Sequence, residues 1–171
     1  MEGMSDLRDL VVRVAGTADA PALAELRALW VADIAPEPDF AGRVAAWLAA
    51  EGARRTTWLA VAVDGPVGMA SLLEYRRMPK PGREDSRWGY VGNLFVRPTS
   101  RNRGVGSALL AEIIAAAEER SYARLVVSPS AEALSLFRRA GFVASGETND
   151  ADLLLIRPDV RNSATRRGAP K

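Results

Sequence analysis

The stretch Gly92-Asn93-Leu94-Phe95-Val96-Arg97-Pro98-Thr99-Ser100-Arg101-Asn102-Arg103-Gly104-Val105-Gly106-Ser107-Ala108-Leu109-Leu110 decides the reading of this chain. It opens in a strand over Trp88–Val96, which Pro98 ends, and closes in a helix running from about Gly104 to Ser121. Val105, Leu109, Ile113 and Ala116 form one stripe of that helix, with Leu110, Ile114 and Ala117 beside it. A helix apolar over so wide an arc packs against a sheet. Between strand and helix lies a basic turn with two glycines. The first N–H groups of a helix lack intrahelical partners and sit at the positive end of its dipole. Glycines let an anion approach that backbone, and Arg101 and Arg103 add charge that suits phosphate. On physical grounds the turn is a diphosphate cradle. A Gly-Lys-Ser/Thr nucleotide loop is absent, since no lysine lies there. A dinucleotide fingerprint lacks its third glycine, because Leu109 holds that place.

Working outward, Leu10–Val14 reads as an opening strand. Thr17 offers an N-cap for a helix over Asp19–Ile34, in which Leu23, Leu26, Trp30 and Ile34 recur at helical spacing. Asp39 caps a second helix through Ala50, with Phe40, Val44, Trp47 and Leu48 on one side and Gly52 at its end. Thr56–Val63 and Val67–Arg76 form a hairpin about Asp64-Gly65. The segment from Arg76 to Arg87 holds five basic and two acidic residues with two prolines and a glycine, which makes it an exposed loop. After the central helix come a buried strand, Arg124–Ser128, a helix, Ala131–Ala140, and two strands about Asn149-Asp150. The order β-α-α-β-β-β-α-β-α-β-β predicts an α/β fold, a mixed sheet with helices on both faces. We expect residues 1–9 to be a flexible N-terminus, 10–157 a single domain, and 158–171 a disordered basic tail.

The 171 residues suffice for one domain, and 48% hydrophobic with 26% charged residues is the composition of an ordinary globule. The net charge of +2 comes from the end of the chain. Residues 157–171 carry five basic residues against Asp159, leaving 18 basic and 20 acidic residues elsewhere. A nucleic-acid partner would therefore have to engage that tail, and none is expected for the body of the fold. Absence of cysteine removes disulfides and thiol nucleophiles. Absence of histidine removes the commonest metal ligand and general base, so no metal site and no histidine-based triad is expected. Met1–Leu10 lacks a signal-peptide core and no apolar run has the length of a membrane span; the expected location is cytoplasmic, without a membrane partner.

The turn resembles the hallmark of the GNAT N-acetyltransferase superfamily, Arg/Gln-x-x-Gly-x-Gly/Ala between the fourth strand and third helix, at Arg101, Gly104 and Gly106. The element order is similar to that family's from about Leu10 to Arg157. A second stretch, Ser130–Phe142, resembles the family's Asn-x-x-Ala-x-x-Leu/Phe-Tyr-x-Lys/Arg-x-Gly-Phe helix. The resemblance implies acetyl-coenzyme A as cosubstrate and an amine of a small molecule or peptide as acceptor, attacked directly in a ternary complex. It implies that Arg101, Asn102, Arg103, Gly104, Val105, Gly106 and Ser107 hold the pyrophosphate. Leu94, Phe95 and Val96 would lie along the pantetheine, with Leu94 and Val96 pairing with it as an extra strand. Ser130, Ala133 and Phe137 would flank the opposite wall, and Arg138 or Arg139 the 3′-phosphate. It also implies that the first two helices wall the acceptor site, with Trp30 or Asp33 facing it, and it is compatible with a homodimer.

Two departures matter. Where the family often has a glutamate acting through water, this chain has Gly92; where it often has the tyrosine that protonates the departing thiolate, this chain has Phe137. One reading is an enzyme that relies on positioning, with backbone N–H near Val96 stabilising the oxyanion. The other is an acyl-coenzyme A sensor or a catalytically weak relative. Substitute catalytic groups are Tyr90 and Glu74. Period-two alternation places residues 88, 90, 92, 94 and 96 on the acceptor side, and Asn93 on the opposite, structural side.

Overall fold

The computed structural model describes residues 9–35 and 37–144, and the backbone of Leu155–Pro158. The expected flexible start before Asp9, the Asn149-Asp150 turn and the tail after Pro158 lie outside the described residues. The elements, in chain order, are β1 (Val11–Val14), α1 (Ala20–Trp30), α2 (Phe40–Glu51), β2 (Arg55–Ala62), β3 (Gly65–Arg76), β4 (Arg87–Val96), α3 (Val105–Glu119), β5 (Arg124–Val127), α4 (Leu134–Arg139), β6 (Val143–Ala144) and β7 (Leu155–Pro158). This is the order expected from the sequence. Hydrogen-bonded neighbours run β1-β2-β3-β4-β5-β7-β6. The β4–β5 pair is parallel and β1–β2, β5–β7 and β6–β7 are antiparallel, so the sheet is mixed. Among the described residues no helix is long and apolar enough to cross a membrane.

The chain groups into two compact units. One comprises the described residues of Met1–Ser71 with Asn93–Leu109; the other, those of Leu72–Gly92 with Leu110–Lys171. In the first, β1 pairs β2 from Val11↔Val61 to Val14↔Trp58. Leu23 and Leu26 of α1 pack with Leu59, Met69 and Phe95, and Val44 and Leu48 of α2 close the cluster. These are the apolar stripes of the two helices meeting alternate residues of strands, the arrangement that buries both kinds of face at once. Helix α1 is shorter than its apolar spacing suggests, ending at Trp30 with Asp33 in the left-handed region at φ 65°. Thr17 does not cap it. Thr17–Asp19 is a 3-10 turn, in which the Asp19 carboxylate accepts the Gly16 N–H at 2.9 Å and the Arg13 guanidinium at 2.7 and 2.9 Å. Hydrogen bonding from Arg13, helped by the Gly16 amide, holds the Asp19 carboxyl at about 2, below its ordinary 3.8.

In the second unit, β5 is the buried strand, pairing β4 at Gly89↔Leu125 through Val91↔Val127 and β7 on its other side. Tyr122, Leu125, Phe137 and Phe142 are fully buried. Phe137 meets Phe142 edge to face with centroids 5.2 Å apart, which fixes the short α4 by aromatic packing. The expected ten-residue helix begins instead as a 3-10 turn, Ala131–Ala133, before α4 proper.

Candidate active site

The turn before α3 is built as its residues dictate. After Pro98–Ser100, a 3-10 turn, Asn102 and Gly104 adopt left-handed φ of 57° and 86°. Asparagine tolerates that region and glycine enters it without strain. A Cβ built on Gly104 would meet no atom within 4 Å, so the space beside this backbone is open. Ala108 N–H bonds the Gly104 carbonyl at 2.9 Å, so α3 is wound from its first turn. Helical geometry then leaves the N–H groups of Val105, Gly106 and Ser107 without i−4 partners. The helix seats close on the sheet because Gly68 of β3 has no side chain. A Cβ there would press at 3.1 Å on Leu109, Val105 and the Phe95 carbonyl.

Arg101 is exposed and folds back, its Nε donating to the Val96 carbonyl at 3.1 Å and its guanidinium lying 5.9 Å from the Phe95 ring centroid. Arg103 is half-buried in the same turn, and Asn102 and Ser107 are exposed. Leu94 and Val96 are half-buried and Phe95 is buried against α1, where it stacks on Trp30 at 5.5 Å. These groups meet the chemical needs of a diphosphate: helix-start amides without i−4 partners, room at a glycine, and two guanidinium groups in one short turn.

A cavity of about 340 Å³ lies in this same unit. Its apolar walls are Leu23, Phe40, Val44, Trp47 and Met69, and its polar lining is Arg27, Arg43, Thr57 and Asn93. Trp47 is therefore wall rather than core. Asn93 corrects the alternation read from the sequence. Its φ of 51°, within β4, interrupts the period of two as a bulge does. Its side chain then faces the cavity, not a structural side. The Glu51 carboxylate accepts Arg55 Nε at 2.6 Å, Arg55 Nη1 donates to Ser71 Oγ at 3.2 Å, and Asn93 Nδ2 donates to that oxygen at 3.1 Å. Hydrogen bonding from Arg55 outweighs burial and holds the Glu51 carboxyl below its ordinary range. Asn93 thus spends one N–H of its amide on a buried serine and keeps the other, with Oδ1 as an acceptor.

The other sequence candidates fare differently. Glu74 is not a solvated charge. Its carboxylate accepts Tyr122 OH and Arg76 Nε, each at 2.8 Å, with Arg87 at 3.5 Å. Burial pushes its carboxyl upward, but the hydrogen bonds of Arg76 and Tyr122 and the nearby guanidinium charges outweigh that, and the net shift is downward. A carboxylate so engaged is a poor proton acceptor. Tyr90 is half-buried in β4, and Trp88 stacks on Tyr75 at 4.4 Å. Ser130 is exposed at the start of the turn before α4, Ala133 is half-buried, and the Phe137 ring is 1% exposed. Arg138 and Arg139 are exposed, and Arg139 donates to Ser135. Sequence reasoning missed Arg27, Arg43, Thr57 and Asn93. The available signal was a charge set into an apolar helical stripe: Arg27 lies four residues after Leu23, and Arg43 four before Trp47. Among the described residues no group of three His, Cys, Asp or Glu side chains is arranged to hold a metal ion.

A family model described as "Acetyltransferase (GNAT) family" matches residues 22–142. No curated protein sequence matches the chain significantly. Among solved structures, an acetyltransferase from Trypanosoma brucei superposes with a TM-score of 0.67 at 23% identity, covering 82% of this chain and 97% of that one. A predicted acetyltransferase from Clostridium acetobutylicum, crystallised with acetyl-CoA, gives 0.66 at 21%, covering 82% and 94%. Ribosomal-protein-alanine N-acetyltransferase from Brucella melitensis gives 0.64 at 20%, covering 82% and 95%. At these identities the structures speak for the fold.

Proposed function

The chain belongs to the acetyltransferase (GNAT) family, whose activity is acyl transfer from acetyl-coenzyme A, and from that premise we propose that it acetylates an amine of a small molecule or peptide in a ternary complex. The observation that carries this reading is the turn Arg101–Ser107, with the N–H groups of Val105, Gly106 and Ser107 lacking i−4 partners in their helix and open space at Gly104. The pyrophosphate sits on those amides, within reach of Arg101 and Arg103. Arg101 leaves the Val96 carbonyl as it turns to phosphate, and that carbonyl becomes available to the pantetheine amide along Leu94–Val96.

The acceptor nitrogen attacks the thioester carbonyl carbon. A C–N bond forms, the C–S bond breaks, the thiolate departs with coenzyme A and takes a proton from solvent, and the amine loses one to water. A backbone N–H near Val96 stabilises the oxyanion. With Gly92 in place of a glutamate, Phe137 buried on Phe142, and the Glu74 carboxylate engaged, we assign a water-borne proton relay to the Tyr90 hydroxyl. Positioning supplies most of the acceleration.

The missing standard groups favour one rival, an acyl-coenzyme A sensor. Incubation with acetyl-coenzyme A and an amine panel, following free thiol, separates the two. Turnover that a Gly106→Trp variant loses supports transfer. Thermal stabilisation by coenzyme A without turnover supports the sensor. Arg101→Ala is expected to weaken coenzyme A by about 1–2 kcal/mol, one charge-assisted contact. An unchanged affinity by calorimetry removes that contact.

A further inference from the structure

We infer that the acceptor is an apolar or aromatic amino acid, held in the α1–α2 cavity by its carboxylate. The inference rests on the acetyl-transfer reading and adds the acceptor's chemistry to it. The cavity has about 340 Å³, at the lower end of small-molecule sites, so it takes a compact ligand. Among the described residues no carboxylate lines it, whereas two guanidinium groups do. The two differ in state. Arg43 is neutralised by Glu37 at 2.7 Å. Arg27 lies 4.6 Å over the Trp30 ring centroid, and among the described residues no acidic side chain pairs with it. The cavity therefore presents one uncompensated positive charge and suits a monoanion. It disfavours polyamines, lysine side chains and other polycations, which would bring like charge against Arg27.

The walls choose the rest of the molecule. Phe40, Trp47, Val44 and Met69 offer aromatic and aliphatic surface for an apolar side chain. Thr57 is 7% exposed, and among the described residues its buried hydroxyl has no hydrogen-bond partner. A buried hydroxyl is rarely left so unless a ligand or water completes it. With Asn93 Oδ1 it can accept from the amino group. Asn93 is also the residue before Leu94, so the nitrogen is bound beside the strand proposed to carry the thioester arm. One guanidinium for the carboxylate, two oxygen acceptors for the amine and an aromatic wall for the side chain make the pattern of an α-amino acid.

The test compares L-phenylalanine with phenethylamine, which differ only by the carboxylate, and with O-phosphoethanolamine, while acetyl-coenzyme A binding is measured separately by calorimetry. The expected result is a preference of about tenfold or more in kcat/KM for phenylalanine, the size of one lost charge-assisted bond. In Arg27→Ala the ratio falls toward one through KM for phenylalanine, with KM for acetyl-coenzyme A unchanged, and Arg27→Lys restores part of it. Equal or better use of phenethylamine, or preference for the phosphorylated amine, overturns the inference and leaves acetyl transfer standing. Coenzyme A binding with neither turnover nor calorimetric binding of phenylalanine also overturns it. Failure to bind acetyl-coenzyme A takes down the transfer reading itself.

Discussion

The turn at Arg101–Ser107 and the cluster around Glu74 are both charged, both close to strand ends, and both suggested by the sequence as sites. They differ in how much of their hydrogen-bonding capacity is already used. The Glu74 carboxylate is satisfied by a buried phenol and two guanidinium groups. The first amides of α3 are not satisfied by their own helix, and the backbone at Gly104 stands open. A group whose valences are met inside the protein stabilises the fold; one whose valences are unmet can bind. The α1–α2 cavity belongs with the turn in this respect, since Thr57 and Arg27 retain capacity there, while Glu51, Arg55 and Ser71 behind it do not.

Three substitutions probe that contrast. The largest effect is expected from Gly104→Val. A β-branched residue at φ 86° costs about 1–3 kcal/mol of strain, although its Cβ meets nothing. Relief of that strain disturbs the turn, so coenzyme A affinity should drop by about tenfold or more as well. A denaturation curve and a calorimetric titration on the same sample check both; full affinity in a destabilised variant would mean that the turn does not hold the phosphates.

Tyr122→Phe addresses the other side. The buried phenol that donates to Glu74 disappears, and we expect a loss of about 1–2 kcal/mol in stability, with coenzyme A affinity untouched. The Tyr122 hydroxyl is itself pushed upward by burial and then by its bond to Glu74, so it stays a donor at neutral pH. A variant of unaltered stability but impaired turnover would return Glu74 to the list of catalytic groups.

The smallest effect concerns Asp19. Its carboxyl lies at about 2 when folded, against an ordinary 3.8, so the folded state favours the ionised form. That stabilisation is fully present above the ordinary value and is lost as pH falls through the folded one. The gap in melting temperature between the native protein and Asp19→Asn should be constant above about pH 5 and close as pH falls from about 4 toward 2. A gap independent of pH would show that Arg13 and Gly16 do not hold Asp19 in solution.

Much of the fold was legible because its signals are local. Apolar spacing located α1, α2 and α3, Asp64-Gly65 marked the hairpin, and Gly52 marked the end of α2. Errors gathered where long-range packing overrode local pattern. Ile34 continues the spacing of α1 but lies beyond its end, and Trp47, on an apolar stripe, walls a cavity instead of filling a core. The left-handed turn proposed to hold a diphosphate was legible as a turn because strand, turn and helix start are contiguous in the chain.

The cavity was not readable in that way. Its lining comes from α1, α2, β2, β3 and β4, and the orientation of Asn93 depends on a left-handed residue that alternation cannot foresee. From the chain alone came the element order, the basic glycine turn and the exclusion of histidine or cysteine chemistry, all properties of neighbouring residues or of composition. Only the tertiary structure decided that Glu74 is spent, that Thr57 is not, and that Arg27 and Asn93 share one cavity. Satisfaction of a polar group depends on what other segments bring within about 3 Å of it, and no short stretch of sequence contains that information.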